Sequence, residues 1–139
     1  MRILVLMPPS VYTKTENPNN WEDLFKGAGG AERVAIEHVT YLKQNHEVSI
    51  MIFGKKTEIF GIDNVKIYSF ENKTHFPFLQ NVFHKREICD ILKTINPKIV
   101  HVHTPTIISS HISDKGYSTV VSFHNSENEF IKPSKILSY

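Results

Sequence analysis

The chain has 139 residues, which is room for one compact domain at roughly 100–200 residues each. A hydrophobic fraction of 40% can fill one core, and 22% charged residues with a formal net charge of +2 argue against a disordered chain. The same weak charge lacks the clustered basic stripe of a nucleic-acid binder, although it suits mild attraction to anionic lipid or phosphate. The single cysteine, Cys89, cannot close an internal disulfide, so a reducing compartment and a core thiol are expected.

Taken in chain order, Arg2–Met7 reads as a first buried strand, a continuous apolar run bounded by Pro8-Pro9. No small-residue cleavage site follows it, and no run reaches the ~18 apolar residues of a membrane span. Residues 8–29 read as a long polar loop with Asn17-Pro18-Asn19-Asn20 as turn chemistry and Gly27, Gly29 and Gly30 near its end. Residues 31–44 have helical periodicity, with Ala31, Val34, Ala35, Val39 and Leu42 on one face and Glu32, Arg33 and Glu37 largely elsewhere. Strands are expected at 47–53, ended by Gly54, and at 65–70. A Phe-rich connector over 70–78 leads to a helix at 79–95 that Asn96-Pro97 ends. A fourth strand at 98–103, a helix at 106–115 up to Gly116 and a fifth strand at 118–123 follow, and 124–139 is polar and less patterned.

That order implies an α/β, Rossmann-like, mostly parallel sheet of about five strands with right-handed crossovers and strand order 3-2-1-4-5. Such a sheet binds ligands outside the carboxyl ends of its strands where the order reverses, here between the first and fourth strands.

Three features converge on that crevice. Gly29-Gly30-Ala31-Glu32 precedes the first long helix, where bare backbone N–H groups and the helix dipole favour an anion. The spacing is not the G-x-G-x-x-G of a dinucleotide site, and the second strand ends in Phe53-Gly54 without an acidic residue, which disfavours a Rossmann oxidoreductase. His101-Val102-His103 sits on the fourth strand, and residues two apart share a face, so both imidazoles lie on one side where a central parallel strand is normally apolar. His124-Asn125 follows the fifth strand, where an imidazole can orient a sugar hydroxyl. His101, His103, His111 and His124 can also be drawn as a zinc cluster, but no thiol or acidic ligand stands with them, and no metal site is expected.

These segments together resemble the N-terminal domain of the family-four, group-one glycosyltransferases of the GT-B fold. The resemblance runs from Arg2–Met7 with Pro8-Pro9 through Gly29-Gly30-Ala31-Glu32-Arg33 and His46-Glu47-Val48-Ser49-Ile50. It continues through Pro97-Lys98-Ile99-Val100-His101-Val102-His103 to Val120-Val121-Ser122-Phe123-His124-Asn125. It implies retaining transfer of a sugar from a nucleotide-sugar donor to a saccharide or lipid-linked acceptor, with no essential metal and no other cofactor. It places Gly29 and Gly30 near the donor diphosphate and His124 at the reaction centre. His101, His103, Asn125 and Glu32 fall on the acceptor-side crevice.

The expectation for domains is that 1–139 is one acceptor-side domain whose donor-binding partner lies outside this chain, so that the chain alone is inactive. The expected location is cytoplasmic, compatible with peripheral membrane contact, and the 119–123 strand is a candidate edge for self-association. The competing reading is a non-catalytic nucleotide- or sugar-phosphate-binding α/β module.

Overall fold

Side-chain alternation along the first strand, β1 (Arg2–Val11), sets the architecture. In a computed structural model that describes residues 1–11, 19–24, 30–71, 85–103 and 112–122, every residue from Ile3 to Met7 is buried. Ile3, Val5 and Met7 enter one apolar cluster, whereas Leu4 and Leu6 enter another on the opposite face. A strand buried on both faces needs cover above and below, which α/β crossovers supply.

The described elements after β1 are α1 (Trp21–Leu24), α2 (Gly30–Leu42), β2 (Glu47–Gly54), β3 (Glu58–Ile62), β4 (Val65–Glu71), α3 (Lys85–Ile95), β5 (Ile99–His103) and β6 (Ser118–Ser122). The six strands form one sheet in the order β3-β4-β2-β1-β5-β6. All neighbours are parallel except the β3–β4 pair, which is antiparallel. From β1 to β2 the chain moves one way across the sheet, and from β4 to β5 it moves back. One crossover hand then puts the two connecting helices on opposite faces. Accordingly, Ala35 and Val39 of α2 pack with Ile3, Val5, Ile50 and Ile67, and Ile88, Ile91, Leu92 and Ile95 of α3 pack with Leu4, Leu6, Met51 and Val100.

The helix ends have local causes. Asn20 caps α1, its Oδ1 accepting from the Asp23 amide at 2.8 Å. α3 ends at Asn96, which takes a left-handed φ of 48° and donates its amide to the Leu92 carbonyl at 2.8 Å, with Pro97 next. The Arg2 guanidinium donates to the Ile95 carbonyl at 3.0 Å, so a cation from β1 satisfies the carboxyl end of α3.

The parallel order expected from the sequence is present, extended by one strand. β3 was not anticipated, and Asp63-Asn64 is the reason it exists. The two residues have φ of 49° and 66° and join Ile62 to its pair Val65 as a two-residue hairpin loop, the conformation of a type I′ turn. The region expected to be loop from residue 8 also differs: β1 runs on to Val11, and residues 21–24 are helical. Between Leu6, paired with Met51, and Val11, paired with Phe53, the register slips, as expected where Pro8 and Pro9 have no N–H to give the ladder. Within α2, Val34 was expected on the buried face but is exposed, because the face towards the sheet runs through Ala35 and Val39. Cys89 on α3 is half-buried where a core thiol was expected. Of the helices expected at 79–95 and 106–115, residues 79–84 and 106–111 lie outside the described residues. No helix among the described residues is long and apolar enough to cross a membrane.

The hairpin gives a stability test. Asn64→Val should cost about 1–2 kcal/mol, since a β-branched residue pays the left-handed penalty in full, and Asn64→Gly should be neutral or slightly stabilising. Urea unfolding of the two variants beside wild type reads the difference. Equal midpoints for Val and Gly would mean that the turn does not hold this conformation in solution.

Candidate functional site

The alternation Val100-His101-Val102-His103 divides β5 between the two faces of the sheet. Val100 and Val102 join the cluster beneath α3. His101 and His103 therefore point to the α2 side. Their ring centroids are 4.1 Å apart with an interplanar angle of 32°. His103 is 1% exposed, one of the few polar side chains among the described residues to be buried this completely, whereas His101 is half-buried. His101 Nε2 lies 2.7 Å from Ser122 Oγ on the neighbouring strand β6, a contact that fixes the ring against that strand.

β5 lies next to β1 with Leu6 opposite Val102, so His103 stands at the carboxyl end of the pair where the strand order reverses. α2 connects the end of β1 to the start of the parallel strand β2, which puts its first residue on that same carboxyl side. Gly30 is that residue, and it is exposed. A Cβ built on it meets nothing within 4 Å, so backbone approach at this point is open. Glu32, in the first turn of α2, is 7% exposed, although the helical pattern sets it largely away from the apolar face; Arg33 and Glu37 are exposed as that pattern expects. The correction has the same cause as that for Val34: α2 is rolled so that Glu32, Ala35 and Val39, spaced three and then four apart, face the sheet.

The structure adds a residue that sequence reasoning missed. His38, exposed on α2, brings its ring centroid to 5.7 Å from those of both His101 and His103. One ring nitrogen from each of the three lies within 4.8 Å of the others, a spacing from which side chains can converge on a cation. The available signal was its position four residues after Val34, on the flank of the helix rather than on its apolar stripe. Gly29, His111, His124 and Asn125 lie outside the described residues. The sites expected for Gly30, Glu32, His101 and His103 are thus located, and only His101 and His103 are in direct ring contact with each other.

Ser122→Ala should remove the hydrogen bond that holds His101 and lower stability by about 0.5–1.5 kcal/mol, the usual net worth of such a bond. Denaturant unfolding measures the loss, and the His101 imidazole resonances should shift with it. Unchanged resonances would show that the contact is not populated.

No curated protein and no solved structure matches the chain. The family model described as Glycosyltransferase Family 4 matches residues 28–138, a span that includes the glycine-led start of α2, both β5 histidines and His124-Asn125. With most of its length matched and an α/β sheet of the corresponding kind, the chain belongs to Glycosyltransferase Family 4.

Proposed function

We propose that this domain is the acceptor-side half of a retaining glycosyltransferase that moves a sugar from a nucleotide-sugar donor to a saccharide or lipid-linked acceptor. The observation that carries the reading is the pair of imidazoles at the carboxyl end of β5, where the strand order reverses and where open α/β sheets bind their ligands. Family membership supplies the reaction class. A His103 buried to 1% exposure on an inner strand of the parallel sheet has a hydrogen-bonding use that packing alone would not require.

In this reading His103, His101, Asn125 and Glu32 border the acceptor. Gly29 and Gly30 offer backbone N–H groups to the donor diphosphate at the positive end of α2. His124 acts at the reaction centre, where an imidazole can donate to or accept from the reacting hydroxyl. Transfer needs no metal, because the helix terminus and backbone donors meet the diphosphate charge. Donor and acceptor are aligned in a cleft closed by a second α/β domain, and such positioning accounts for roughly 7–11 kcal/mol of a barrier. Residues 1–139 by themselves should therefore show no steady transfer. Carbohydrate biosynthesis on the cytoplasmic side, with peripheral contact to a membrane that carries the acceptor, fits the weak positive charge.

Two substitutions test the assignment in a protein that contains both halves of the cleft. His124→Ala should lower turnover by roughly 10²-fold or more, the scale of one positioned acid–base group. Wild-type turnover would make His124 structural. Gly30→Val should weaken donor binding in calorimetric titration with common nucleotide-sugars. A Cβ at Gly30 meets nothing within 4 Å, and an unchanged Tm of the variant would assign a loss of affinity to a clash with ligand rather than to misfolding. Unchanged affinity would remove the glycine loop from the donor site. Steady turnover by residues 1–139 alone would show that the domain carries a complete site of its own.

The same reading includes self-association through β6, the edge strand of the described sheet, whose Val120 is 49% exposed. An unpaired apolar edge favours pairing with another chain. Val120→Lys should shift sedimentation towards monomer; a wild-type chain that is monomeric at all concentrations would refute the association.

A further inference from the structure

We propose that His38, His101 and His103 form a binding site for one divalent transition-metal ion of the zinc type, a use of the β5 pair beyond the acceptor contact proposed above. The three residues come from α2, which covers one face of the sheet, and from the β5 positions that point to that face. Each offers one ring nitrogen, and the three lie within 4.8 Å of one another. In a tetrahedral site with Zn–N bonds of about 2.0–2.1 Å the ligand nitrogens stand about 3.4 Å apart. The gap between these distances is of the size that side-chain rotation closes, and the exposed His38 ring at the surface has room to rotate.

The ligand chemistry selects the ion. Neutral imidazoles suit Zn²⁺, Cu²⁺ and Ni²⁺, whereas Mg²⁺ and Ca²⁺ prefer oxygen donors. Three nitrogens leave a fourth tetrahedral position for solvent. The Ser122 hydroxyl beside His101 Nε2 is the kind of contact that fixes a metal-ligating histidine. With the hydroxyl accepting, Nε2 carries the proton and Nδ1 the lone pair. Burial is graded outward from His103 through His101 to His38, which gives the ion a path in from solvent through the exposed ring. A bound ion would tie α2 to β5 and so raise the stability of the folded chain.

The test uses the untagged, metal-stripped chain. Calorimetric titration with Zn²⁺ should give one equivalent bound, undisturbed by millimolar Mg²⁺, and Co²⁺ should give the visible absorption of a tetrahedral nitrogen site. His38→Ala should weaken Zn²⁺ binding by tenfold or more and abolish the metal-dependent rise in Tm. The exposed position of His38 lets this variant fold where a change at the buried His103 could fail to. His46→Ala and Cys89→Ser should bind as wild type does, which separates this site from those two donors. Equal Zn²⁺ affinity in wild type and His38→Ala, or no stoichiometric binding by wild type, would overturn the proposal. Either result would remove the metal and leave His101 and His103 to the acceptor contact, which the turnover and donor-binding variants test separately.

Discussion

β1 has a parallel partner on each side, and from Ile3 to Met7 its side chains are buried on both faces. This double burial is the condition from which the other features follow. It requires one helix over each face, and those helices arrive by crossovers in opposite directions. Opposite crossovers create the reversal in strand order between β1 and β5, and His103 stands at the carboxyl end of that pair. A β1 that alternated polar and apolar residues would have left one face to solvent and removed the need for α2 or α3. The histidines would then have had no enclosed place to stand.

The same condition explains what was readable from the residues. Continuous apolar runs at 3–7 and 50–53 declare buried parallel strands, and Asn96-Pro97 declares the end of α3, because these signals are local and strong. The β5 alternation was equally legible, since period two alone puts His101 and His103 on one face. β3 was harder: Glu58-Ile59-Phe60-Gly61-Ile62 is short, lies at the edge and contains a glycine. Its real signal was Asp63-Asn64, two residues that tolerate left-handed φ, placed between two apolar runs.

His38 and Glu32 were not legible for a different reason. Periodicity tells which residues share a helix face but not how the helix is rolled about its axis, and the roll depends on the strands below. With Ala35 and Val39 set over β1 and β2, the Val34–His38 flank turns towards β5 and Glu32 turns inward. A rotation by one residue, about 100°, would have exchanged these outcomes. The match to Glycosyltransferase Family 4 covers these positions without determining that roll.

The imidazole pair on β5 also says something about how much cohesion the domain has given up. Fully burying one leucine-sized side chain contributes about 1.5–3 kcal/mol. On the α2 side of β5, two positions that the architecture could fill with such side chains hold His101 and His103 instead. The domain is therefore less stable than its own frame permits, and the deficit is concentrated on one strand rather than spread through the core. Natural proteins settle just above the stability they need, with the shortfall gathered where function asks for polar groups. By that measure, β5 is the strand on which a firmer core was within reach and two polar rings stand instead.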